Sequence, residues 1–230
     1  MTTGPQKGNT VRAVSSNQQG PHHKLGATVT KHLQTRFQKP IGSHSAKAFA
    51  DAQRWLRASD KPFILDSFCG TGESTRWLAG QYPDCVVLGV DKSAARLARH
   101  QASEQSNYLL LRADTDDVWR LLVTAGLLPH KHCIFYPNPW PKSEHLMRRC
   151  HGSPLFSTLL ALGGELELRT NWRIYAEEFC AALAVADISA QVSEFTANPP
   201  VTAFERKYSD AGQSLWRLQC ELPSPPPAPL

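Results

Sequence analysis

Apolar and polar positions along this chain change period repeatedly, and the changes divide it into short alternating blocks. In "SAKAFADAQRWLRAS" (45–59), Phe49, Ala52, Trp55 and Leu56 share one side of a 3.6-residue repeat, which predicts a helix. "PFILDSF" (62–68) is a continuous apolar run that stops at a Gly-rich turn, the pattern of a strand buried on both faces. Helical "ESTRWLAGQ" (73–81) then leads to a buried strand "CVVLGVD" (85–91), and the alternation continues with "AARLARHQAS" (94–103, helix) and "NYLLLRAD" (107–114, strand). "DDVWRLLVTAG" (116–126, helix), "CIFYP" (133–137, strand) and "PLFSTLLAL" (154–162, helix) follow. "GGELELRT" (163–170, strand) and "IYAEEFCAALAVA" (174–186, helix) complete the series. Strand and helix units in turn, with near-continuous apolar strands, predict an α/β fold built on a mostly parallel, doubly wound sheet.

Ligands of such sheets gather at the carboxyl ends of the strands. The polar residues after each predicted strand are Asp66, Asp91, Asp114, Asn138 with Lys142, and Thr170 with Asn171, so these are expected on one rim. Gly70 and Gly72 in "DSFCGTGES" stand between a strand and a helix, where the backbone can approach a ligand closely. Asp91 closes the second strand, the place of a carboxylate that takes ribose hydroxyls. Gly72 is followed by Glu73, Ser74 and Thr75 with no third Gly at the G-x-x-G spacing, so a nicotinamide cofactor fits less well than S-adenosylmethionine, whose pocket suits the three acids Asp66, Asp91 and Asp114.

Charge adds a second theme. Residues 1–50 carry seven Lys and Arg and no Asp or Glu, whereas the whole chain is net +5, so the remainder is net acidic by two. A basic, flexible N-terminal arm over 1–42 is therefore expected, suited to a polyanion, ahead of one domain over 43–222 and a Pro-rich disordered tail over 223–230. No apolar leader and no run of about 18 apolar residues occurs, so a cytoplasmic, membrane-free protein is expected. Six cysteines without a CxxC pair and nine histidines without ligand spacing give no metal site.

"IFYPNPWPKSEHLMRR" (134–149) is a stiffened loop, because prolines fit neither a helix interior nor a central strand. Within it, "FYPNPWPK" resembles the Phe-Pro-Asp-Pro-Trp-x-Lys of the tRNA (guanine-N7-)-methyltransferase family, followed by that family's basic pair at Arg148 and Arg149. "LRTNWRIYAEE" (168–178) is similar to its Thr-Asp-Trp-x-x-Tyr-Ala, and "VTAFERK" (201–207) to its Thr-x-Phe-Glu. The resemblance spans about 60–222 and implies a Rossmann-like class I methyltransferase fold with a C-terminal antiparallel hairpin, acting on tRNA with S-adenosyl-L-methionine as cofactor. It implies cofactor contacts at Asp66, Asp91, Asp114 and Asn138, with Asn138 also catalytic, beside Gly70 and Gly72, which their place between strand and helix puts at the cofactor. It implies substrate contacts at Lys142, Asn171, Thr202, Phe204 and Glu205 and an acceptor guanine in the variable loop; Trp140 joins them on its stacking chemistry, and a monomer is expected. Phe68 stands where the family has Gly, Asn138 and Asn171 where it has Asp, and Pro141 where other residues are usual.

Guanine N7 has a lone pair and no proton, so its methylation needs alignment rather than a general base. Trp140 is expected to stack on the base, unless it plugs the core beneath the loop; Lys142, Arg148 and Arg149 suit phosphates. Two alternatives stay open. Asn138-Pro139-Trp140 also resembles the Asn-Pro-Pro-aromatic loop of exocyclic-amine methyltransferases, and two Asp to Asn changes fit an RNA-binding protein of the same fold with weakened turnover.

Overall fold

The computed structural model describes residues 13–223. Helices α1 (Leu25–Gln34) and α2 (Ser43–Arg57) precede β1 (Phe63–Ser67), α3 (Glu73–Gln81), β2 (Val86–Asp91), α4 (Ala94–Leu97) and β3 (Tyr108–Arg112). Next come α5 (Thr115–Thr124), β4 (Lys131–Phe135), two short 3-10 turns, α6 (Phe156–Ala161), β5 (Gly164–Thr170) and α7 (Arg173–Val185). The chain closes with β6 (Gln191–Phe195), α8 (Ala203–Asp210) and β7 (Leu215–Leu222). All seven strands form one sheet in the order β3-β2-β1-β4-β5-β7-β6. β1 to β5 pair in parallel, and β7 runs antiparallel between β5 and β6.

Every residue of β1, β2 and β4 is buried; the apolar stretches 63–65, 86–90 and 133–135 follow from that, while Asp66, Ser67, Lys131 and His132 are buried polar positions in the same strands. Their side chains alternate between two cores. Leu65, Leu88, Val90 and Ile134 join α1, α2, α5, α6 and α7 on one face. Ile64, Val87, Cys133 and Phe135 meet Leu78 and Ala79 of α3 on the other. Chain order reverses between β1 and β4, so the loops leaving them diverge and open a crevice at their carboxyl ends.

Two expectations need correction. The arm over 1–42 is not free throughout: within its described part, α1 buries Leu25, Val29 and His32 and packs on α7, so the packed body begins before residue 43. Burial of Leu25 and Val29 contributes roughly 1.5–3 kcal/mol each, enough to hold a ten-residue helix that would be marginal alone. The helix expected over 94–103 stops at Leu97, because His100 turns inward and its ring nitrogens bond the Thr71 carbonyl and the Tyr108 hydroxyl, both at 2.8 Å. The C-terminal strands β6 and β7 pair antiparallel as expected, with α8 in the connection between them. Residues 1–12 and the tail from 224 lie outside the described residues.

Among the described residues, no helix is long and apolar enough to cross a membrane, and no cluster of three or more His, Cys, Asp or Glu is placed to hold a metal.

Candidate active site

The loops after β1, β2, β3 and β4 and the start of α8 enclose a cleft of about 470 Å³, within the size range of small-molecule sites. Gly70, Asp91, Asp114, Asn138, Trp140, Thr202 and Phe204 all line it. Asp66, Gly72, Lys142, Asn171 and Glu205 do not.

On the β1–β2 side the Asp91 carboxylate, 1% exposed, accepts hydrogen bonds from the Gly70 amide (3.0 Å) and the Ser93 amide (2.7 Å) and lies 3.3 Å from the Arg96 guanidinium. It thereby fixes the Gly70 turn, whose φ of +62° glycine adopts without strain. Asp114 caps α5 by accepting the Asp116 amide at 3.1 Å, and its own amide donates to Ser45 Oγ. Phe68 and Trp119, in edge-to-face contact at 5.9 Å, form part of the apolar back wall.

Asp66 is fully buried beneath the turn, so its expected cofactor contact is corrected to a support of the loop. Its Oδ2 accepts the hydroxyls of Ser74 (2.7 Å) and Thr75 (2.6 Å), tying the start of α3 to β1. Burial raises its carboxyl to about 6 against those two hydrogen bonds. Gly72 is buried as well; at φ +74°, a Cβ there would sit 2.7 Å from Leu110, so this glycine shapes the turn and touches no ligand space.

The opposite wall is the proline-rich loop. Asn138 is exposed, and its Oδ1 accepts the Trp140 amide at 3.3 Å, closing an Asx turn. Trp140 is half-buried and faces the cleft, with the Arg148 guanidinium 4.8 Å above its ring and His145 edge-on at 5.5 Å, so it is no core plug. Thr202 caps α8 by accepting the Glu205 amide at 2.9 Å. Phe204 (46% exposed) and Met147 (61% exposed) are apolar side chains left on the cleft wall.

The remaining expectations change for reasons of direction and burial. Glu205, next to Phe204, is fully buried and points into the sheet. It accepts the Tyr136 hydroxyl (3.0 Å), Arg169 Nη1 (3.1 Å) and the Val201 amide (2.6 Å), so it anchors the cleft wall and is shielded from any substrate. Asn171 turns to Gln213, donating at 2.9 Å. Lys142 is exposed beyond the cleft. Arg149 is fully buried against Glu178 and is therefore no phosphate ligand.

Sequence reasoning missed Tyr136, whose ring lines the cleft and whose hydroxyl is held un-ionised by burial and by the Glu205 carboxylate. Phe68, Tyr136 and Trp140, all on the cleft, have φ of +62°, +51° and +45°. Such backbone costs of order 1–3 kcal/mol and clusters where a site is held in one arrangement. The signals in the sequence were the prolines around Tyr136 and Trp140 and, for Phe68, its place where the family has Gly.

Residues 60–218 match the model of a family described as putative methyltransferase. The chain is 30% identical to the tRNA (guanine-N(7)-)-methyltransferase of Polaromonas naphthalenivorans, over 74% of this chain and 81% of that one. It is 32% identical to the enzyme of the same name from Leifsonia xyli subsp. xyli, over 69% and 75%. Among solved structures it superposes on the 16S rRNA methyltransferase KamB with a TM-score of 0.55 at 17% identity, covering 82% of this chain and 97% of that one. The 16S rRNA (adenine(1408)-N(1))-methyltransferase of Catenulisporales acidiphilia, solved with SAM, gives 0.54 at 17% over 78% and 93%. At these identities the two structures attest the fold alone.

Proposed function

The chain belongs to the tRNA (guanine-N(7)-)-methyltransferase family, and from that premise we infer that its cleft methylates N7 of a guanine in tRNA, with S-adenosyl-L-methionine as methyl donor. The observation that carries this reading is the meeting, in one cleft, of the acid-and-glycine wall of Asp91, Asp114 and Gly70 with the loop wall of Asn138 and Trp140. The residues present fit the cofactor: Asp91 closes β2 at the cleft, and Gly70 has no heavy atom within 4 Å of where a Cβ would stand. Asp91 and the backbone around Gly70 would take its polar groups and Phe68 and Trp119 its flat apolar part. When bound, it supplies an electrophilic sulfonium methyl.

Everything else falls to this chain's side chains. N7 carries no proton, so the absence of a carboxylate at 138 removes no obligatory base. The Asn138 oxygen keeps a lone pair beyond its Asx turn for the guanine amino group, and it aligns the ring without offsetting the positive charge that develops on the purine. Trp140, backed by Arg148, offers a stacking face for a base withdrawn from its stack, and Phe204 and Met147 exclude water at the lips. Exposed Lys92 and Arg99 on the cofactor side and Arg148 on the loop side are placed for the phosphate backbone. We assign the acceptor to the variable loop, on the motif resemblance, and the enzyme to the cytoplasm, where tRNA is its partner.

Incubation with methyl-labelled S-adenosylmethionine and bulk tRNA, followed by nucleoside analysis, tests the reading. Label in 7-methylguanosine is expected. Label in a methylated exocyclic amine, or cofactor binding without any labelled nucleoside, contradicts it.

A further inference from the structure

The loop that carries Asn138 and Trp140 makes few bonds of its own: the Asn138 turn onto the Trp140 amide, and the His145 amide to the Lys142 carbonyl at 2.9 Å. Pro137, Pro139 and Pro141 remove three of its amide donors, so the Trp140 and Pro141 carbonyls take donors from elsewhere. They find them in two places. Arg149, fully buried, donates from Nε (3.2 Å) and Nη2 (3.1 Å) to the Trp140 carbonyl and from Nη2 to the Lys142 carbonyl at 3.1 Å. Ser16 Oγ donates to the Pro141 carbonyl at 2.6 Å.

Both anchors run through the segment before α1. Glu178 of α7, fully buried, pairs with Arg149 and accepts His151 Nε2 at 2.9 Å; its other oxygen accepts Gln18 Nε2 and the His22 amide, each at 2.8 Å. Gln18 completes the ring, because its Oε1 accepts Arg149 Nη2 at 2.5 Å. Asn17 and Ser143 exchange two further bonds, each at 3.2 Å. One side-chain amide thus bridges both halves of a buried ion pair, and that pair grips the peptide of Trp140 at φ +45°.

We propose that Ser16–His22 is a strap that sets the Trp140 loop, and that Gln18 and Ser16 are positioning residues for the acceptor base. The inference rests on the functional reading above and adds to it that this segment controls the transfer step itself. Removing Gln18 leaves Arg149 and Glu178 paired but frees one donor and one acceptor in the buried site, so the fork shifts and the Trp140 peptide with it. A displacement of that kind misaligns the base against the methyl while both ligands still bind.

The test compares single-turnover methyl transfer at saturating S-adenosylmethionine and tRNA for the parent, Gln18→Ala, Ser16→Ala and Ser16→Thr. Gln18→Ala should slow the step by about tenfold, a modest share of what misplacement by about 1 Å can cause. Ser16→Ala should slow it less, Ser16→Thr should restore it, and the dissociation constants of both ligands should hold. Amides of residues 142–149 should exchange hydrogen faster in ligand-free Gln18→Ala, a readout independent of activity. Parent-like rates and exchange in both Ala variants would overturn the proposal. So would a loss that saturating tRNA abolishes, which would make the segment an RNA tether. If Gln18→Ala fails to fold, the Ser16→Ala and Ser16→Thr pair, at a half-buried hydroxyl, decides alone. Rates are compared on whatever base the parent methylates, so a product other than 7-methylguanosine would refute the functional reading and leave the strap tested.

Discussion

Glu205 separates an anchoring role from a substrate contact, and its replacement has a calculable consequence. Its carboxylate is fully buried and accepts four contacts: the Tyr136 hydroxyl at 3.0 Å, the Val201 amide at 2.6 Å, and Arg169 Nη1 at 3.1 and 3.4 Å. In Glu205→Ala the hydroxyl and the amide lose their acceptor, at about 1–3 kcal/mol each for a buried unsatisfied group. Arg169 keeps Glu167 at 2.8 Å, so its charge is not stranded. The costs share one cavity and do not add fully; together they put the loss at about 3–5 kcal/mol, as for breaking a buried pair. For a chain of this size that lowers the melting temperature by roughly 6–20 °C. Glu205→Gln keeps one oxygen, and its loss should be roughly half. Urea unfolding followed by fluorescence, beside filter binding of tRNA, measures both quantities. An Ala variant as stable as the parent but with weakened tRNA binding would refute the anchoring role.

Asp91→Ala should weaken S-adenosylmethionine by about 1.5–3 kcal/mol, since it removes a charged acceptor and releases the Gly70 turn; unchanged affinity by calorimetry in a folded variant would contradict that. Burial holds the His132 imidazole down to about 3, so the folded state keeps it neutral while the unfolded chain protonates it near 6.5. Its stability is therefore complete above pH 6.5 and lost as pH falls toward 3, with a slope of up to about 1.4 kcal/mol per pH unit that His132→Leu should remove; parallel parent and variant curves from pH 7 to 4 would rule this out. Removing residues 1–12 deletes Lys7 and Arg12, and should lower the slope of log tRNA affinity against log salt by up to about 2 without changing cofactor affinity; an unchanged slope would mean that these cations touch no phosphate.

The sheet was legible because the central strands are buried on both faces and carry apolar stretches, with Asp91 closing one of them, whereas the buried Lys131 and His132 at the start of β4 gave no apolar signal. Side-chain direction was not legible. Phe204 and Glu205 are neighbours on α8, yet a turn of about 100° per residue sends one to the cleft and the other into the sheet. Arg148 and Arg149 divide in the same way, one over Trp140 and one onto Glu178. For α1, charge misled: its few apolar positions gain meaning only against α7, about 150 residues away in sequence, and the acid-free composition around them resembled a tether.

If N7 is the acceptor atom, a guanine that lacks N7 cannot be methylated. A tRNA transcript made with 7-deazaguanosine in place of every guanosine keeps the exocyclic amine and lacks N7. With binding verified by competition against the unmodified transcript, it should take up no label from S-adenosylmethionine while the unmodified transcript is labelled. Labelling of the deaza transcript would contradict N7 transfer and place the methyl on another atom.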